Sequence, residues 1–202
     1  VKPPIVAGSA PERRDRAIKP PGPVSPAWLE RAALHYLERY SASTEMLRRT
    51  LARRVQKRAR ARGEDPDSFA DLVTATVARA VSAGLVDDAR FADTRLATLR
   101  RRGTSSRGVS AKLAAKGVPR DVVEAAMVAE REATADGEAE AIEEQAAQAY
   151  AKRRRLGPHR RPEQREAYRE RDLAALARAG FSYALARRVV DAEPDGEPDP
   201  PA

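Results

Sequence analysis

The stretch Gly84-Leu85-Val86-Asp87-Asp88-Ala89-Arg90-Phe91-Ala92 decides how this chain folds. A helical pattern ends just before it, in Ala80-Val81-Ser82-Ala83, and another begins at Phe91 and runs through Leu96. Gly84 stands where a helix stops in the left-handed conformation, which a residue without Cβ adopts without a clash. Asp87 or Asp88 can cap the helix that follows, its carboxylate accepting a bond from a free backbone N–H. Leu85 and Val86 form an apolar plug between stop and start. The stretch therefore reads as a boundary between two helical units, and the chain can be read outward from it in both directions.

Upstream, Leu29, Ala33, Tyr36, Leu37 and Tyr40 recur at the spacing of one helix face after Pro26. Ser43 or Thr44 can cap a second helix carrying Leu47, Leu51 and Val55, and a third carries Phe69, Leu72, Val73, Thr76, Val77 and Ala80. Downstream the pattern recurs. Phe91, Leu96 and Leu99 mark a helix stopping at Gly103, Val109 and Leu113 mark one stopping at Gly117, and Pro119 opens one with Val122, Val123, Ala126 and Met127 inward. A third unit follows Gly137 and runs through Gly180. Leu113 stands four residues before Gly117, as Leu176 does before Gly180, and the matching apolar positions Val118 and Phe181, then Val122 and Leu185, follow each glycine. In the first unit Val55 takes the place of the glycine, and an arginine-rich insertion follows.

The expected fold is all-α: three tandem three-helix repeats over 27–86, 87–136 and 137–192, stacked as an elongated curved array in which each unit leans on its neighbours. Residues 1–26 hold seven prolines and read as a disordered arm; 193–202 read as an acidic, proline-rich tail.

Composition fits thin helical layers rather than one thick core. Of 202 residues, 42% are hydrophobic but only 4% aromatic. Cysteine is absent, which excludes disulfides and thiol chemistry. No membrane-length apolar run and no leader pattern occur, so a soluble, cytoplasmic, monomeric protein is expected. The two histidines, His35 and His159, lie apart without ligand spacing. No nucleophile–base pair, metal set or cofactor-binding loop is legible, so neither an enzyme nor a small-molecule substrate is expected.

The net charge of +8 and pI near 10.2 point to an anionic partner, and the charge is grouped. Three windows lack acids altogether. The first holds Arg48, Arg49, Arg53 and Arg54; the second Arg100, Arg101, Arg102, Arg107, Lys112 and Lys116; the third Arg153 and Arg154. Between Asp121 and Glu144, by contrast, nine acids face Arg131 alone. Compositional bias alone would not segregate charge in this way. Arg49 and Arg53 share a helix stripe while Arg48 lies about 100° round, which suits broad electrostatic contact. The loop 103–108, Gly-Thr-Ser-Ser-Arg-Gly, reads first as a turn capped by Ser105 or Ser106 and second as a phosphate or carboxylate seat.

These residues resemble the RecX family of regulators of the RecA recombinase. The likeness lies in Gly84 to Ala92 (Gly84, Asp87, Asp88 and Phe91 foremost), in Arg100-Arg101-Arg102-Gly103, in Leu113 to Val118 around Gly117, and in Leu176 to Phe181 around Gly180. The resemblance implies three three-helix repeats and binding along the RecA–DNA filament, restraining strand exchange, ATP hydrolysis and repressor cleavage, hence DNA repair and the SOS response. It departs from the family pattern in the arginine-rich insertion and the long arm. Weak, sequence-independent DNA binding is expected beside the filament contact. The rival reading is a sequence-independent DNA-binding module of helix-turn-helix type.

Overall fold

The computed structural model describes residues 21–133 and 139–193. The boundary glycine Gly137, the first twenty residues of the arm and the tail beyond Glu193 lie outside the described residues. Nine α-helices follow one another, with no strand among the described residues: α1 (Pro26–Leu37), α2 (Thr44–Arg60), α3 (Ala70–Ser82), α4 (Asp88–Arg101), α5 (Ser106–Ala115), α6 (Arg120–Glu132), α7 (Ala139–Arg154), α8 (Pro162–Arg178) and α9 (Tyr183–Val190). Short 3-10 turns precede α3 and follow α7.

Local chemistry sets the helix ends. Ser25, Ser43, Asp87, Ser105 and Ser182 each accept a bond from the backbone N–H three residues on, satisfying a donor that the helix itself leaves free. Gly84 has φ +67° with nothing within 4 Å of where a Cβ would stand. Gly84→Ala is therefore expected to cost about 1–2 kcal/mol from left-handed strain alone, measurable as a shift in urea midpoint at unchanged slope.

The apolar stripes close into three cores. Leu29, Leu47, Leu51, Val55, Val73, Val77 and Val86 bury among α1–α3. Phe91, Leu96, Leu99, Val109, Leu113 and Val123 bury among α4–α6. In α7–α9, Ala146, Ala147 and Ala151 let α7 lie close to Leu173, Leu176, Phe181, Leu185 and Val189. Each fully buried Leu or Val contributes about 1.5–3 kcal/mol from leaving water.

Some expectations shift. Only Val86 plugs the corner, because Leu85 is 47% exposed. Tyr40 falls beyond the end of α1 and is exposed, stacking at a tilt on Tyr36. Val55 is no helix stop: α2 continues to Arg60, so the arginine-rich insertion begins as extra helix. That extension holds the last stretch of the arm. Arg58 donates to the Gly22 carbonyl and stacks on Trp28 at 4.4 Å, Arg62 donates to Pro21, and Val24 is buried.

Neighbouring triplets meet at two joints built alike. At the first, the Ser43 hydroxyl donates to the Lys116 carbonyl at the end of α5, and the Thr44 N–H donates to the Asp88 carboxylate at 2.8 Å. At the second, the Ser105 hydroxyl donates to the Ala179 carbonyl at the end of α8 at 2.6 Å, and the Ser106 N–H donates to the Glu143 carboxylate at 2.9 Å. Both serines are fully buried and serve twice, as N-cap and as connector. Gly117 and Gly180 stand where the facing helix starts press in: a Cβ on either would lie within 3 Å of Glu45 or of Ser105 respectively. The adjacent aspartates of the boundary divide their work. Asp87 caps its own helix α4; Asp88 caps α2 of the preceding triplet.

Candidate functional site

Much of the grouped positive charge is engaged inside the molecule. Arg48 and Arg49 both clasp Glu45, at 2.6 and 2.7 Å. Arg48 foremost, and Arg49 beside it, hold the Glu45 carboxyl below its ordinary range against the opposing effect of burial. Arg169 holds Asp191 low in the same way. Each pair therefore contributes stability that is present above the ordinary carboxylate range and is lost as pH falls through the depressed folded value. Arg49 also reaches the Ala115 carbonyl across the first joint, and Arg54 reaches the Ala32 carbonyl on α1. Arg53 is exposed, making long contacts of 3.4 Å to its own helix.

Arg100 is the most deeply engaged of the predicted cations. Its side chain is 12% exposed, and its guanidinium donates to Glu130, Glu143, the Ser106 hydroxyl and the Thr104 carbonyl at 2.8–3.1 Å. It belongs to the second joint, not to the open surface on which the sequence places it with Arg101 and Arg102. Those two are exposed; Arg101 touches Thr98 at 3.3 Å. The loop 103–108 does seat a carboxylate, but an internal one. Glu143 takes the Ser106 N–H and hydroxyl, while Ser105 caps α5.

Several of the cations left outward gather at the mouth of that joint. Lys112 of α5, Arg153 and Arg154 of α7, and Arg178 of α8 line a cleft of about 440 Å³ with Tyr150, Thr104 and Gly103, and no carboxylate lines it. Arg153 and Arg154 each stand 5.8 Å from the Tyr150 ring, whose face favours a cation. Lys112 extends toward the Thr104 hydroxyl at 3.4 Å. Arg107 is exposed nearby, against Gly180. Four like charges around a concave wall concentrate positive potential there, and an anion entering relieves their repulsion. The cleft at the first joint is smaller, about 210 Å³, with Arg95 and Lys116 as its cations. The second joint thus brings predicted residues of windows two and three together. Arg178 and Tyr150 join them without having been singled out by the charge windows, and Thr104 comes from the loop 103–108.

Among the described residues no group of three or more His, Cys, Asp or Glu could hold a metal ion, and no helix is long and apolar enough to cross a membrane. His35 lies 4.0 Å from Glu38, three residues further along the chain, on the open surface, so it does have a neighbouring carboxylate.

A helical repeat protein with self-capping joints and a cation-lined cleft is the class that fold and site define. Residues 87–127, which span α4 and α5 and most of α6, match the family model described as RecX, second three-helix domain. The chain is 43% identical over 188 residues to the regulatory protein RecX of Myxococcus xanthus (strain DK1622), covering 93% of this chain and 97% of the relative. It is 30% identical over 166 residues to the regulatory protein RecX of Agrobacterium fabrum, covering 81% and 82% of the two chains. With that of Thermobifida fusca it shares 33% over 167 residues, covering 78% and 82%. The chain belongs to the RecX family. No solved structure gives a significant match.

Proposed function

We propose that this chain binds the RecA nucleoprotein filament and restrains its recombinase, ATPase and co-protease activities, regulating DNA repair and the SOS response from the cytoplasm as a monomer. Family membership over nearly the whole length supports the reading, and the observation that carries it is the cation-lined cleft at the second joint. The three helix triplets act as repeats over 27–86, 87–136 and 137–192, giving contacts spread along a long partner. Arg101, Arg102, Arg107, Lys112, Arg153 and Arg154, with Arg178, form the contact surface; Arg48, Arg49, Arg53 and Arg54 extend it along α2, and Lys116 at the first joint. Arg100 positions the joint behind them.

The test is ATP hydrolysis by a RecA filament on single-stranded DNA with increasing amounts of this chain. Inhibition at or below equimolar protein is expected; full activity throughout would overturn the reading. Arg153→Glu with Arg154→Glu should weaken inhibition by about tenfold or more while leaving the melting temperature within a degree or two, because both side chains lie on the exposed rim. Direct DNA binding should be weak and show no sequence preference. Its logarithm should fall with log salt by about 0.9 for each phosphate neutralised.

A further inference from the structure

One helix end in this chain departs from the rule that five others keep. At the ends of α2, α3, α4, α5 and α8, the residue at the turn donates its N–H three residues back, and the next residue donates five back. Gly63, Gly84, Gly103, Gly117 and Gly180 hold that turn, all at positive φ, where a Cβ crowds the backbone. The end of α7 is bonded in the same way, Arg155 to Lys152 and Leu156 to Ala151, yet here an arginine holds the turn at φ +53°. Among the described residues Arg155 is the one non-glycine residue with positive φ.

The surroundings fix it there. Leu156 is buried, the Gly157 N–H donates to the buried Asp172 carboxylate at 2.9 Å, and a Cβ on Gly157 would lie 2.8 Å from the Val190 Cα. The chain just past Arg155 is therefore pinned against α8 and α9. Arg155 itself is exposed, and its guanidinium makes no hydrogen bond or ion pair with another described residue. Strain that a glycine would remove is thus kept at a side chain that does nothing for the fold, and an outlier of that kind points to function. Arg155 closes the exposed run Lys152-Arg153-Arg154-Arg155, of which Arg153 and Arg154 line the cleft at the second joint. Successive helical residues point about 100° apart, so the run surrounds the end of α7 with positive charge and carries no apolar side chain. A protein interface centres on a patch depleted of charge. A phosphodiester backbone needs only cations, and a guanidinium fork fits a phosphate through two bonds.

We propose that Arg155 is a phosphate-contact residue, held in a strained turn so that a guanidinium faces the backbone of single-stranded nucleic acid at the end of α7. This rests on the reading that the basic surface meets an anionic partner, and it names that partner's chemistry at this corner.

Three variants separate charge from strain. Arg155→Gly removes both, Arg155→Ala removes the charge alone, and Arg155→Lys keeps both. The melting temperature should rise by about 2 °C for Arg155→Gly and stay within about a degree for the other two. Binding to a fluorescent oligodeoxythymidine, followed by anisotropy across a salt series, should weaken about threefold to tenfold at low salt for Arg155→Gly and Arg155→Ala, with a log–log salt slope shallower by about 0.7, the loss of one phosphate contact on a single strand. Arg155→Lys should keep the slope. A melting temperature that fails to rise in Arg155→Gly would overturn the strain, and a slope unchanged in Arg155→Gly and Arg155→Ala would overturn the contact. If the slope holds while inhibition of RecA ATP hydrolysis falls, Arg155 meets protein, and this proposal fails with the filament reading intact. If the slope falls as expected while the full chain leaves RecA ATP hydrolysis unaltered, the filament reading fails and the phosphate contact stands.

Discussion

Gly103→Ala is expected to cost about 2–5 kcal/mol, well above the cost of the same change at Gly84. Both glycines are left-handed, φ +70° and +67°, so both incur about 1–2 kcal/mol of strain when given a Cβ. At Gly84 nothing else happens. At Gly103 the new Cβ would lie 2.3 Å from the Tyr150 nitrogen, 2.6 Å from its Cα and 2.7 Å from the Ala146 carbonyl. Those are backbone atoms of α7, which no rotamer change can move. The helix must withdraw, adding about 1–3 kcal/mol of overpacking and pulling Glu143 from the Ser106 N–H. Urea unfolding of both variants gives the difference, and hydrogen exchange at Ser106 should quicken only in Gly103→Ala. Equal destabilisation at the two sites would contradict a close-packed joint.

Arg100→Ala is the second large effect, expected at about 3–5 kcal/mol, the loss typical when one member of a buried ionic cluster is removed. The side chains of Arg100, Glu130 and Glu143 are 12%, 16% and 20% exposed, so solvent screens the cluster little. Its removal leaves the Glu130 and Glu143 carboxylates facing the joint without the guanidinium between them. Arg100→Met keeps the apolar stem without the charge and should lose about as much as Arg100→Ala. A much smaller loss would mean that packing, not charge, is what Arg100 provides. Arg100→Lys should restore only part of the loss, since one ammonium cannot reproduce a planar fork that bonds Glu130 through two nitrogens.

The helices were legible because their signals are local. Caps at Ser43, Asp87 and Ser105 and stops at Gly84, Gly103, Gly117 and Gly180 rest on atoms within a few residues. The joints were not, because their bonds link residues such as Ser105 and Ala179, 74 positions apart. Arg100, Arg101 and Arg102 look alike in a charge run, yet a turn of 100° per residue sends the first inward and leaves the others exposed. The clue lay in the acidic segment 121–144: Glu130 and Glu143, two of its members, are the partners of Arg100. Beyond α7, Arg160 turns to Asp172, a carboxylate that is 1% exposed and also takes the Gly157 N–H. Asp172 lies eighteen residues past the end of α7, so no window of charge could pair them. Charge grouping therefore named Lys112, Arg153 and Arg154, which the fold brings to one cleft, but could not sort free cations from engaged ones. Tyr150 escaped notice because it carries no charge, and Arg178 because it lies well past the third window; only folding brings them to Lys112.

The joints also differ chemically from the matching position in the third triplet. Each uses a hydroxyl at the N-cap and an N–H at the next residue: Ser43 with Thr44, Ser105 with Ser106. The corresponding pair at the start of α8 is Arg161 and Pro162. Arginine has no hydroxyl to give a neighbouring carbonyl, and proline has no N–H to give a neighbouring carboxylate. The plug that joins one triplet to the next is thus chemically blank on the third. The two bonds that hold each earlier joint therefore cannot be repeated at the start of α8.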